Sequence, residues 1–282
     1  MEVMPEDTLE EFTLRLKWAI SSLESINPDR AIPERKAFSY LGRGGTCLMI
    51  GRLLHLLRRS DEAGAYYERV IPDIRLAIAS SLRVEEEIEN QYALFNYALT
   101  TGNKEQATES ANIIVAQGVQ QVRMFTESVY HVAMAHLYPG KIERVLPLIP
   151  ALKKLEEKKS EKFIKPGFIK AVTALCAKDV GEMAIGVTEM LEGHCHEARY
   201  QRWALNTDNL ICMPVTVLAI MALRNGVDVK PLLTNSQTSL KTRTWSPADR
   251  PELPSTARFI VPVDLVPEFI LCHWKEEPVR AR

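Results

Sequence analysis

The stretch YALFNYALTTGNKEQATESANII, Tyr92–Ile114, reads as a helix, a Gly-Asn turn and a second helix that turns back on the first. Gly102 ends the first arm, as glycine commonly does at a helix C-terminus. Four further polar turns of this kind lie along the chain: RRSDEA near Asp61, YPGKIE near Gly140, AKDVGE near Asp179 and RNGVDV near Gly226. They recur at roughly 40 residues, the period of helical-hairpin repeats. No repeat carries a consensus that names a repeat family. The reading is an all-α fold, a degenerate helical-hairpin array or an irregular helical bundle.

Working outward, TLEEFTLRLKWAISSLESI places Leu9, Phe12, Leu16, Ile20 and Leu23 on one helical face. Thr8 with Glu11 forms a capping-box pattern, and Asn27-Pro28 stops the helix. A second helix is expected to begin after GRGGT, Gly42–Thr46, with Thr46 as its cap. Its partner, EAGAYYERVIPDIRLAIASSL, is expected to break or kink at Pro72. Helical patterns continue through ESVYHVAMAHL, IERVLPLIPALKKLEEKK, PGFIKAVTALCAKD, VGEMAIGVTEMLEGHCHEARYQRW and MPVTVLAIMALRNG.

The tail differs. Prolines are dense from Pro231 to Pro267. The expected organisation is a helical domain over 1–233 and a long polar loop over 234–258. Residues 259–282 would then form an extended Pro-rich C-terminal strap with a short helix, packed on the same domain.

The 35 basic and 36 acidic side chains nearly cancel, which lacks the basic footprint of a nucleic-acid binder. Five cysteines are widely spaced with no CxxC, the usage expected of free thiols in a reducing compartment. The acidic N-terminus shows no signal-peptide pattern. The longest apolar run, Leu210–Leu223, contains Pro214 and is too short to span a bilayer. A cytoplasmic protein without membrane association is expected.

The sharpest chemical cluster is GHCHEARY, Gly193–Tyr200. On a helix, His194 and His196 point in opposite directions and cannot share a metal. His194 and Glu197 stand in the reverse order of the Glu-x-x-His di-metal motif. His131 and His136 are poorly spaced for one helix face, and no HExxH, GxSxG or kinase motif occurs. GRGGT lacks the GK[ST] of a phosphate loop. No catalytic, metal-binding or cofactor-binding residue is therefore expected, and no cofactor.

Protein recognition has better candidates. Glu85, Glu86 and Glu89 in VEEEIEN open a helix, where the dipole alone accounts for carboxylates. They also form an acidic patch suited to a basic partner. Trp245 lies in the polar stretch KTRTWSPADRP with Arg243 and Arg250, a second candidate partner contact. Tyr92, Tyr200 and Trp203 are interface-type side chains, whereas Tyr97 sits among Leu94, Phe95 and Leu99 and belongs to the core.

Three stretches together resemble the immunity protein 49 family of bacterial polymorphic-toxin systems. They are Tyr92–Ile114; AIGVTEMLEGHCHEARYQRW, a Leu-Glu-x-His helix end followed by an aromatic; and ICMPVTVLAIMALRNGVDV with the later ARFIVPVDLVP. The resemblance covers mainly the C-terminal two-thirds. It implies a cytoplasmic, mostly helical, non-enzymatic protein that binds and neutralises a cognate toxin by occluding its active site. Such toxins act in interbacterial competition, type VI secretion among the routes. The alternative is a helical-repeat scaffold or regulator that binds a peptide or protein partner.

Overall fold

Of the apolar stripe expected in the first helix, Phe12, Leu16 and Leu23 are buried and Ile20 is partly covered, and the Leu9 side chain lies outside the described residues. In this helix, α1, Glu6–Ser25, Ala19 is buried as well. The computed structural model describes residues 6–119, 128–158, 164–200, 210–242 and 259–275. Helix dominates them, so the fold is all-α.

The second helix departs from expectation. α2 runs from Pro33 to Leu56 and passes straight through GRGGT. None of the three GRGGT glycines makes a loop, and Gly44 serves close packing. A Cβ on Gly44 would come within 2.8 Å of the Ile74 Cδ1 and 3.3 Å of the Val70 carbonyl oxygen. One on Gly51 would lie 2.8 Å from Cδ1 and from Cζ of the Tyr67 ring. Bare backbone at these positions lets α3, Ser60–Ala79, lie close against α2. That contact offsets the ~0.5–1 kcal/mol that each helical glycine costs relative to alanine. Thr46 is not a cap; its hydroxyl donates to the Gly42 carbonyl one turn back, at 2.8 Å.

α3 is continuous across Pro72. Next to that proline, the buried Asp73 carboxylate accepts two hydrogen bonds from Arg43 of α2, at 2.9 Å from Nε and 2.6 Å from Nη2. This bidentate clamp joins the two helices. Asp73→Ala would leave a half-buried guanidinium without its counter-charge and should cost about 2–3 kcal/mol. Urea unfolding checks this, and an unshifted midpoint would show the clamp to be idle.

α4, Val84–Thr101, ends at Gly102, whose φ of 72° is the left-handed conformation that glycine adopts without strain. Asn103 then caps α5, Lys104–Gln117, by accepting from the Gln106 amide at 3.0 Å. The Tyr92–Ile114 hairpin thus has the form read from its sequence. α6, Ser128–Leu137, follows. From α2 to α6 each helix packs on the next. Arg75 of α3 also reaches Gln106 and Glu109 of α5, at 2.6 and 2.8 Å.

The chain divides into two compact units, one of Leu9–Tyr138 and one built from Pro139 onward. The sequence reading places 1–233 in one helical domain. The division falls inside YPGKIE, a turn of the same composition as the others, so nothing local marks it.

The C-terminal unit contains α7, Ile142–Val145, α8, Ile149–Lys158, α9, Phe168–Ala177, α10, Val180–Tyr200, and α11, Met213–Arg224. α9 and α10 meet through bare backbone at Gly167 and Gly186. Glu156 of α8 accepts from the Ile169 amide in the first turn of α9, at 3.3 Å. α11 is buried on nearly every side, as its apolar sequence requires, and the buried Thr216 hydroxyl donates to the Cys212 carbonyl at 3.0 Å.

The polar stretch 234–258 holds a strand that its composition does not announce. β1, Gln237–Thr242, pairs antiparallel with β2, Phe259–Asp264, with Gln237 opposite Asp264 and Thr242 opposite Phe259. The pairing is between distant segments, so no local pattern in QTSLKT reveals it. After β2, Leu265, Val266, Ile270, Leu271 and Trp274 are buried, the last three in and after the short helix α12, Glu268–Leu271. The Leu265 carbonyl accepts from the Cys212 amide at 2.7 Å, and its amide donates to the Ser236 carbonyl at 2.9 Å.

Candidate functional site

GHCHEARY is helical throughout, inside α10. His194 is buried at the core edge and His196 is exposed, the opposed arrangement expected of residues two apart. The Glu197 side chain lies outside the described residues. Among the described residues no group of three or more His, Cys, Asp or Glu is placed to hold a metal.

A histidine with a different role lies in α6. His131 stacks on the Tyr92 ring at 4.2 Å and meets the Tyr130 ring edge-on at 5.1 Å. Burial pushes it down to about 3, so it stays neutral near physiological pH. Tyr92 is therefore core and not an interface aromatic. Tyr97 is only partly covered, with its hydroxyl near Gly45 of α2. Burial also pushes the Cys47 and Cys176 thiols up, which favours the inert protonated form. These groups are tuned away from proton transfer and nucleophilic attack at neutral pH.

Of the six residues predicted to meet a partner, Glu85, Glu86 and Glu89 lie in the first two turns of α4. Their positions span an arc of about 100° on the helix, so the structure brings them onto one side. Glu86 has local work: it accepts from the Leu82 amide at 3.2 Å, satisfying a donor just ahead of the helix. Desolvation raises the Glu89 carboxyl, Arg83 pulls it back, and Glu86 adds to the rise. Arg243, Trp245 and Arg250 lie outside the described residues.

No protein-family model matches this chain, and neither does any curated protein or any solved structure.

The structure adds surface that the sequence reading did not single out. Five large apolar side chains of the N-terminal unit are more than half exposed: Trp18 and Ile32 at 58%, Leu82 at 63%, Val84 at 68% and Phe38 at 71%. A signal for Trp18 exists in the sequence. It stands four residues after Leu14, on the side of α1 opposite Phe12, Leu16 and Leu23. Leu82 and Val84 directly precede the glutamates, and their exposure depends on where α3 ends and α4 begins.

Among the described residues no helix is long and apolar enough to cross a membrane.

Proposed function

We propose that this chain is a cytoplasmic immunity protein, which binds a cognate protein toxin and neutralises it by covering the toxin's active site. The observation that carries the reading is the exposure of Trp18, Ile32, Phe38, Leu82 and Val84 on one helical unit. Large apolar and aromatic side chains left in water are the kind of anchors that protein interfaces bury. The resemblance of three stretches to the immunity protein 49 family agrees with it. Occlusion needs a rigid, folded surface of roughly 800 Å² and no catalytic group of its own. Arg243, Trp245 and Arg250 stay in the proposal on sequence grounds.

The test is co-purification followed by co-expression. The tagged chain should retain one partner at one-to-one stoichiometry. That partner, expressed alone, should arrest bacterial growth, and the chain should restore it. Trp18→Ala with Phe38→Ala should weaken the complex by about thirtyfold, the scale of losing one strong aromatic anchor. A set of weakly held, non-toxic partners would instead favour the helical scaffold.

A further inference from the structure

The corner between α3 and α4 says what kind of surface it meets. Leu82, Arg83 and Val84 are all exposed, and the described residues leave about two-thirds of the Leu82 and Val84 surface uncovered. Glu85, Glu86, Glu87 and Glu89 follow directly along the chain, so Leu82–Glu89 holds four carboxylates against one guanidinium. Among the described residues the side-chain carboxylates of Glu85, Glu87 and Glu89 make no hydrogen bond or ion pair, although the Glu87 amide donates to the Arg83 carbonyl at 3.1 Å. Glu86 alone is committed, to the Leu82 amide. Burial is the main cause that holds the Glu89 carboxyl above its ordinary range; the Arg83 guanidinium pulls it back and Glu86 adds a smaller rise. A cation brought here adds to the attraction that Arg83 supplies.

Exposed apolar side chains beside charged ones are the materials of an interface patch, which buries the apolar part and leaves charge at its edge. The apolar pair asks for an apolar counterpart, which a free metal ion does not offer. The carboxylates repel an anionic membrane. We propose that this corner docks on a basic protein surface, an apolar spot bordered by lysine or arginine side chains. The proposal rests on the toxin-binding reading and adds the charge of the toxin face that is covered.

The test needs no toxin. The full chain, methyl-labelled at leucine and valine, is titrated with an amphipathic helical peptide of leucine and lysine. A peptide of the same pattern in leucine and glutamate serves as the control. The Leu82 and Val84 methyl signals should move with the lysine peptide, which should bind at least about tenfold tighter than the glutamate peptide. Glu85→Lys with Glu89→Lys should reduce that affinity by about tenfold or more. Lysine is unfavourable at a helix N-terminus, so Glu85→Gln with Glu89→Gln provides a milder variant that keeps the Glu86 cap. It should show a smaller loss in the same direction. Shifts scattered over other acidic surface with Leu82 and Val84 unmoved would overturn the proposal. So would equal binding of the two peptides, or glutamine variants that bind as wild type does. Because the readout is independent of any toxin, corner binding with no growth protection would sink the immunity reading alone. Growth protection without corner binding would sink this one alone.

Discussion

Gly186→Ala should destabilise the C-terminal unit by about 3 kcal/mol, although helix propensity alone favours alanine by about 1 kcal/mol. A Cβ at position 186 would sit 2.6 Å from the Ala171 amide nitrogen, 2.7 Å from the Gly167 carbonyl oxygen and 3.1 Å from the Ala171 Cα. All three are backbone atoms. No rotamer change relieves the overlap, so α9 must move away from α10 as a body. That separation loosens the packing of Phe168, Ala171 and Val172, all fully buried. The same helix supplies its own control. Among the described residues a Cβ on Gly193 would meet nothing within 4 Å, so Gly193→Ala should stabilise by up to about 1 kcal/mol. Urea unfolding of both variants by circular dichroism reads the two signs. A Gly186→Ala chain as stable as wild type would show that the two helices do not meet this closely.

Acid should unfold the protein through His131. Its ordinary value of 6.5 applies to the unfolded chain, and burial takes it to about 3 in the folded one. Between these values the unfolded state binds a proton that the folded state excludes. Stability therefore falls as pH falls, by about 1.4 kcal/mol per pH unit. By pH 4.5 the loss is roughly 3 kcal/mol, a large part of the roughly 5–15 kcal/mol typical of a domain. His131→Phe keeps a ring to stack on Tyr92 but cannot bind the proton. The variant need not match wild type at pH 7. What it should lose is the extra slope between pH 6.5 and 4.5, measured by urea unfolding at several pH values. Parallel curves for the two proteins would mean that His131 accepts its proton without the fold opening.

The helical hairpins are legible in the sequence because their turns have local chemistry. Gly102 takes a left-handed φ and Asn103 caps the next helix, and both jobs select for residue type. GRGGT misleads for a related reason. Glycine marks loops and also close helix crossings, and only Val70 and Ile74, far along the chain, tell the two apart at Gly44. β1 is hidden because its partner strand, not its own residues, makes it a strand. In the candidate surface the run of glutamates is plain to read, since charge needs no context. The exposure of Leu82, Val84 and Phe38 is not, because an apolar residue is core or surface according to what the fold lays over it. Tyr92 shows the converse: an interface-type side chain that the fold places against His131.

The packing of each helix on its chain neighbour also sets an order of assembly. In the N-terminal unit the principal contacts join consecutive helices, so they close short loops and form early. This unit can gather native contacts while later segments are still being synthesised. The ribbon cannot. Gln237 waits for Asp264, and the Cys212 amide waits for the Leu265 carbonyl. Until Phe259–Asp264 has been made, Gln237–Thr242 has no partner to make it a strand and its backbone groups stay unpaired, which makes that interval the one most exposed to misassociation.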